Sequence, residues 1–134
     1  MKVMLLLALV ATGAQAKASD ADAVTLSKCL DDPANASTGG QSECESAAAR
    51  SYDRRMNVAY AALLRKLPAA AGARLRVSQR AWLAFRDAEA AARGALYETR
   101  QGTMFVPMQA ADETAIVRDR AVQLEHYLRV MAID

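Results

Sequence analysis

The sequence predicts an all-α fold, a small antiparallel bundle of three main helices plus a short N-terminal helix, stapled by one disulfide. Apolar residues recur at helical spacing in three long stretches, and no stretch alternates apolar and polar residues as a half-buried strand does. Proline and glycine interrupt the pattern near Pro33, at Pro68 and between Gly102 and Pro107. These interruptions divide the chain into one short and three long helical segments.

The first sixteen residues have the pattern of a secretory signal. Lys2 gives the positive start, residues 3–11 the apolar run, and a small-x-small cleavage site ends at Ala16. The run is too short to span a bilayer, which needs about 20 residues. We therefore predict a signal peptide over residues 1–16 and a single domain over residues 17–134. Because no lipid-anchor cysteine follows the run, we expect a periplasmic or secreted protein without a stable membrane anchor.

The charge of the chain is nearly balanced. Removing Lys2 from the 17 basic residues leaves 16, against 15 acidic ones. Nucleic acids and anionic membrane surfaces attract clustered positive charge. The balance therefore argues against both as general partners.

The two cysteines, Cys29 and Cys44, both follow the predicted cleavage site. Oxidising compartments favour a disulfide, and this pair would close a loop of about 15 residues, which contributes roughly 3 kcal/mol. A zinc site is the alternative, but two thiols and the distant His126 do not supply four ligands. We predict the disulfide, and we expect no metal site or cofactor.

The first predicted helix spans about residues 19–30, capped by Ser19 or Asp20, and a loop follows over residues 31–42. The second predicted helix begins at a capping box formed by Ser42 and Glu45 and ends near Leu67, before Pro68.

The third predicted helix continues to about Thr99, and the last one spans about residues 112–131. Between them lies a segment, residues 100–111, that is unusually apolar for a loop and contains Met104 and Phe105. It either folds over the core or presents an exposed patch to a partner. The first interpretation is favoured.

Four charged residues fall where the apolar pattern predicts burial: Asp53, Arg86, Glu89 and Arg120. A buried charge without a partner is costly, so these groups should pair with one another. The favoured interpretation is an interhelical network in which Asp53 or Glu89 pairs with Arg86 or Arg120. Asn57 and Gln79 would complete its hydrogen bonds. The alternative is that some of these residues line a groove that receives a partner.

The stretch QRAWLAFRD, residues 79–87, contains the only tryptophan. At 100° per residue, Trp82 and Phe85 share one helical face, with Gln79 and Arg86 along its edge. We predict that the two aromatic residues anchor the third helix in the core, while Gln79 and Arg86 reach Asp53 and Asn57 on the second helix.

The order of these motifs resembles that of a family of small exported bacterial helical proteins, which is named after the lysozyme inhibitor LprI. The resemblance is to the LprI N-terminal-like domain, and it covers nearly all of residues 17–134. The block QRAW-x2-FRD, which includes Asp87, is the specific part. The supporting motifs are Asp53-x3-Asn57-x2-Tyr60, Gly102-Thr103 and Arg120-x3-Leu124. Family members often carry a second cysteine pair, where this chain has Glu89-Ala90 and Ala110-Ala111; a second disulfide is therefore missing.

The resemblance implies a protein that inhibits a lysozyme-type cell-wall hydrolase. One variant of this hypothesis is an immunity protein that protects its producer from a secreted lytic effector. The alternative is an envelope structural or assembly factor that acts through protein–protein contacts. The residues themselves indicate no enzyme, because His126 lies on a predicted exposed face without a nucleophile beside it.

Two segments are candidates for binding the hydrolase. In the first, Arg100 lies near the apolar Met104 and Phe105, and a cation of this kind suits the carboxylates of a lysozyme cleft. The second is the loop over residues 31–41, which the predicted disulfide closes. The sequence does not choose between them.

Overall fold

The computed structural model describes residues 20–133, which form four α-helices, one short 3-10 helix and no strand. The helices are α1 (Ala21–Asp31), α2 (Thr38–Lys66), α3 (Ala69–Glu98) and α4 (Phe105–Val130), and the 3-10 helix (Pro33–Asn35) separates α1 from α2. The all-α prediction is confirmed. The predicted signal peptide and the candidate cap Ser19 lie outside the described residues. No helix within residues 20–133 is both long enough and apolar enough to cross a membrane.

The helices α2 and α4 run in the same direction and form the central pair. The Thr114 hydroxyl near the start of α4 donates to the Glu45 carbonyl near the start of α2, at 3.0 Å. About three turns further along both helices, Arg55 contacts Glu125. α3 runs the opposite way, and its Gln79 meets both members of the pair. The result is an up-down-up bundle, with α1 antiparallel to α2.

The core lies mainly between α2 and α4. Its largest fully buried side chains are Tyr52, Met56, Leu63 and Leu124. Burial of each such side chain contributes about 1.5–3 kcal/mol. The buried residues of α3 are Gly72, Leu75 and Gln79. All three lie in its first half, because the second half is rich in alanine and offers few large side chains to bury. α1 contributes no buried residue.

The predicted disulfide is confirmed. It joins Cys29 in α1 to Cys44 in α2, with 5.8 Å between the Cα atoms. The Asn35 side-chain amide donates to the Cys29 carbonyl at 3.0 Å, which fixes the turn between the two helices. The disulfide therefore attaches the C-terminal end of α1 to the start of α2.

The predicted start of α2 was wrong. Ser37, not Ser42, caps the helix, and its hydroxyl accepts a hydrogen bond from the Gly40 N–H at 3.0 Å. Gly40 therefore belongs to the first turn rather than to a loop, and a Cβ there would lie 2.8 Å from the Asn35 backbone. Ser42 lies inside the helix and donates to the Thr38 carbonyl instead.

The start of α4 was also predicted too late. The helix begins at Phe105 rather than near Asp112, so most of the predicted apolar loop is helical. Pro107 lies in the first turn, where an N–H group has no intrahelical acceptor. The connection from α3 is short, and Gly102 adopts a φ of +115° there, which side chains disfavour.

The α2–α4 core gives a direct test. Leu124→Ala removes a side chain with 0% exposure, and the resulting cavity should lower the free energy of unfolding by about 2–5 kcal/mol. Val122→Ala, at a position of the same helix that is 39% exposed, is the matched control and should change it by at most about 0.5 kcal/mol. Urea unfolding at neutral pH measures both; equal losses would contradict this assignment of the core.

Candidate functional site

Arg120 is the centre of a buried polar group between α3 and α4. Its Nε donates to Gln79 Oε1 at 3.0 Å and its Nη2 to Ser78 Oγ at 3.2 Å, while Nη1 donates to Gln123. Arg120 is 7% exposed, and burial lowers the pKa of its guanidinium. Among the described residues its partners are neutral, so the predicted pairing with Asp53 or Glu89 was wrong.

Asp53, Asn57 and Tyr60 lie along α2. The Asn57 amide donates to Asp53 Oδ2 at 3.1 Å, one turn away on the same helix. Tyr60 packs half-buried against the core. The predicted contacts from Gln79 and Arg86 to this pair were wrong: Asn57 is exposed, and its amide satisfies the carboxylate locally.

The two aromatic residues of the QRAWLAFRD stretch have different environments. Trp82 packs half-buried against the core, as predicted, but Phe85 is 51% exposed, so its predicted core position was wrong. The buried face of α3 centres on Gln79, and Phe85 lies about 120° around the helix from that centre. Glu89 is also exposed rather than buried.

Within residues 20–133, the polar contacts of Arg86 are local. It pairs with the exposed Asp87 at 2.9 Å and lies over the Trp82 ring, 5.6 Å from its centroid. Arg86 therefore shields one side of the tryptophan and, in the part of the chain that the structure describes, takes no part in an interhelical ion pair.

Among residues 20–133, the most extensive ionic cluster surrounds Arg55, a residue that no pattern in the sequence singles out. The Arg55 guanidinium contacts Glu125 of α4 through two nitrogens, each at 2.7 Å. Its Nη1 also contacts Asp20 at 2.6 Å and Asp22 at 2.8 Å, at the start of α1. The Tyr52 hydroxyl donates to Asp20 at 3.1 Å. One cation thereby joins α1, α2 and α4.

The cluster shifts the pKa values of its members. Hydrogen bonds, first of all to Glu125, raise the pKa of Arg55. Burial pushes the pKa of Asp20 upward, but the hydrogen bond and the charge of Arg55 outweigh it, so the pKa lies below its ordinary value of 3.8. Burial and the neighbouring Asp20 raise the pKa of Tyr52 to about 12. Asp20 is therefore ionised, and Tyr52 is neutral, at physiological pH.

The two candidate binding segments lie at the same end of the bundle. Since α2 and α4 are parallel, the turn that precedes α2 and the turn that precedes α4 are both at their N-terminal end. We call this the loop end, and it comprises residues 31–37 and 99–104. Arg100 is exposed, and Met104 is 62% exposed.

The α3–α4 side of the loop end is internally braced. The Tyr97 and Phe105 rings lie 6.4 Å apart, and the Tyr97 hydroxyl donates to Asp112 at 2.6 Å. This hydrogen bond raises the pKa of Tyr97. Beside the rings an open pocket of about 250 Å³ is lined by Arg100 and Phe105 among others. Phe105 is thus half-buried against Tyr97, whereas Arg100 has no ion-pair partner among residues 20–133.

The described part of the chain shows no three His, Cys, Asp or Glu side chains placed to share a metal ion. His126 is exposed beside Tyr127. The loop end offers an exposed cation, exposed apolar groups and a rigid turn, which are features suited to recognition.

The family model described as "Lysozyme inhibitor LprI" matches residues 29–124. The chain belongs to the LprI family. The matched residues run from the first cysteine to Leu124 in the core, so they include the disulfide, the Arg120 group and the loop end.

A crystal structure of an uncharacterised protein from Burkholderia thailandensis is similar to this LprI-family chain. It shares 34% identity and a TM-score of 0.81 over 87% of this chain. The match spans 57% of that protein's chain. No curated protein matches the chain.

The different environments of two arginines predict different costs of truncation. Arg120→Ala leaves the buried Gln79 amide without its partner and should lower the free energy of unfolding by about 2 kcal/mol or more. Arg86→Ala, which removes a partly exposed local pair, should cost less than about 1 kcal/mol. Urea unfolding compares them. In a double-mutant cycle with Gln79→Leu, the Arg120→Ala loss should shrink; strictly additive losses would argue against the contact.

The Arg55 cluster predicts that replacing Arg55 lowers the free energy of unfolding by an amount that depends on pH. Arg55→Met should lower the free energy of unfolding by about 1–3 kcal/mol at neutral pH. The folded-state pKa of Asp20 is depressed, so ionised Asp20 stabilises the folded state at pH values above 3.8. This stabilisation disappears as the pH falls through the depressed pKa. The difference in free energy of unfolding between the wild type and Arg55→Met should therefore become smaller at acidic pH, as urea unfolding at several pH values would measure. Arg50→Met, which breaks an exposed pair with Glu43, is the control and should have little effect at any pH.

Proposed function

We propose that this chain is an exported, non-catalytic protein that binds and inhibits a lysozyme-type cell-wall hydrolase. The observation that carries the proposal is its membership of the LprI family, across residues 29–124. The signal-like first sixteen residues support a periplasmic or secreted location. In a producer that also secretes a lytic effector, the same activity would make it an immunity protein.

The loop end is the surface that we assign to the hydrolase. An inhibitor has to place a group in or over a substrate cleft whose catalytic groups are carboxylates. Arg100 offers an exposed charge of the opposite sign, and Met104 beside it offers apolar contact area. Charge complementarity of this kind gives specificity and speeds association.

The rigidity of the loop end supports the same assignment. The contact between Tyr97 and Phe105 and the hydrogen bond to Asp112 fix the turn on the α3–α4 side. On the other side the disulfide and the Asn35 amide fix the turn before α2. A surface that is ordered before binding loses less conformational entropy in the complex, so more of the contact energy appears as affinity.

The test is a cell-wall lysis assay with the purified protein and several lysozyme types. The wild type should slow lysis at micromolar concentration, and Arg100→Glu should weaken inhibition at least about tenfold, as expected for a charged residue central to an interface. Arg129→Glu, an exposed arginine at the opposite end of α4, is the matched control and should inhibit normally.

Two outcomes would contradict the proposal at different levels. If no lysozyme type is slowed by the wild type, the inhibitor function fails, and a pull-down from periplasmic extract then tests the assembly-factor alternative. If the wild type inhibits but Arg100→Glu and Arg129→Glu behave alike, the function stands and the assignment to the loop end fails.

A further inference from the structure

The outer face of α3, on the side opposite Gln79, is apolar and uncovered. Val77, Phe85 and Leu96 are 55%, 51% and 57% exposed. Between them, exposed alanines recur at alternating spacings of three and four residues from Ala81 to Ala95. No charged residue interrupts this face from Val77 to Leu96, over a length of about 28 Å. The three large side chains distinguish it from a run of small residues.

The spacing of this face is that of a helix-pairing seam. Alternating steps of three and four residues keep one apolar stripe directed at a partner helix in a left-handed pair. Alanine along the stripe lets two helix backbones approach closely, and the larger residues then fill the space at intervals. No other element within residues 20–133 covers this apolar stripe, which is the outer face of α3 from Val77 to Leu96.

The charges beside the stripe indicate which partner it fits. One edge carries Arg76 and Arg80 toward the N-terminal end of α3, and Asp87 and Glu98 toward its C-terminal end. When two such helices are placed antiparallel, Arg80 of each can lie beside Asp87 of the other. A two-fold axis makes every such contact twice.

We propose that α3 pairs antiparallel with α3 of a second copy of this chain. A two-fold axis between Ala81 and Ala84 places Arg80 beside the second copy's Asp87 and sets the larger Val77 against the small Ala88. Asp87 already pairs with Arg86 in its own chain, but an exposed pair of this kind contributes little and exchanges readily. The inference goes beyond the proposed inhibitor function and does not depend on it.

A single helix pair of this length buries less than the roughly 1,600 Å² of a standard protein–protein interface. The dimer should therefore be weak and concentration-dependent. Sedimentation velocity of the purified chain, from micromolar to near-millimolar concentration and without any hydrolase, should show a monomer that converts to a dimer.

The first variant tests the face. Ala84→Glu places a charge at the centre of the seam while keeping a strong helix former, so it should weaken dimerisation more than tenfold and leave the circular dichroism unchanged. Val58→Glu, at a position of α2 that is 68% exposed, is the matched control and should dimerise like the wild type.

The second set of variants tests the antiparallel arrangement. Arg80→Asp and Asp87→Arg should each weaken the dimer, and the double variant should restore it because the two charges exchange places. A chain that stays monomeric at all concentrations would overturn the proposal, and so would a dimer that Ala84→Glu leaves intact. If the double variant fails to restore the dimer, the antiparallel pairing is wrong.

Discussion

The buried contact between α2 and α4 is the constraint on which the other elements depend. It places Tyr52, Met56 and Leu63 of one helix against Leu124 of the other, and each of these side chains is almost fully removed from water. Because the two helices are parallel, the chain has to return between them, and α3 makes that return. The parallel arrangement also puts the turns that precede α2 and α4 at one end. The loop end, where we place hydrolase binding, is thus a consequence of the core.

The elements outside this central pair depend on polar and covalent contacts as well as on apolar packing. α1 contributes no buried residue; the disulfide fastens one of its ends and the carboxylates around Arg55 fasten the other. α3 contributes a few buried groups in its first half, among them Gln79, which meets Arg120. A small domain with a limited core gains from such ties, since its apolar burial is modest relative to its chain entropy.

The sequence predicts the helices well and their tertiary contacts poorly. Apolar periodicity and Pro68 locate α2 and α3, because those signals are local. Gly40 was mistaken for part of a loop, since the close approach of Asn35 that requires a glycine there is a tertiary fact. Arg55 was missed for the same reason: its partners Asp20 and Glu125 lie 35 and 70 residues away in the chain. Apolar periodicity also does not predict which charged residue on the apolar side of a helix is buried, or that the partners of a buried one are neutral, as those of Arg120 are.

The QRAWLAFRD stretch, residues 79–87, carries the family resemblance, and some of its side chains face the core while others face solvent. Gln79 and Trp82 face inward, where they fix α3 to the central pair, and Phe85 faces outward as part of the apolar outer face of α3. The inward half explains why these residue types suit the fold: Gln79 supplies the neutral acceptor that a buried arginine needs, and Trp82 supplies apolar area in a helix otherwise rich in alanine. Arg100 and Met104 lie outside the block, on a turn that the core positions but does not bury. If the loop end binds the hydrolase as we propose, substitutions on that turn change which partner is bound at little cost to the fold, since they remove no buried contact.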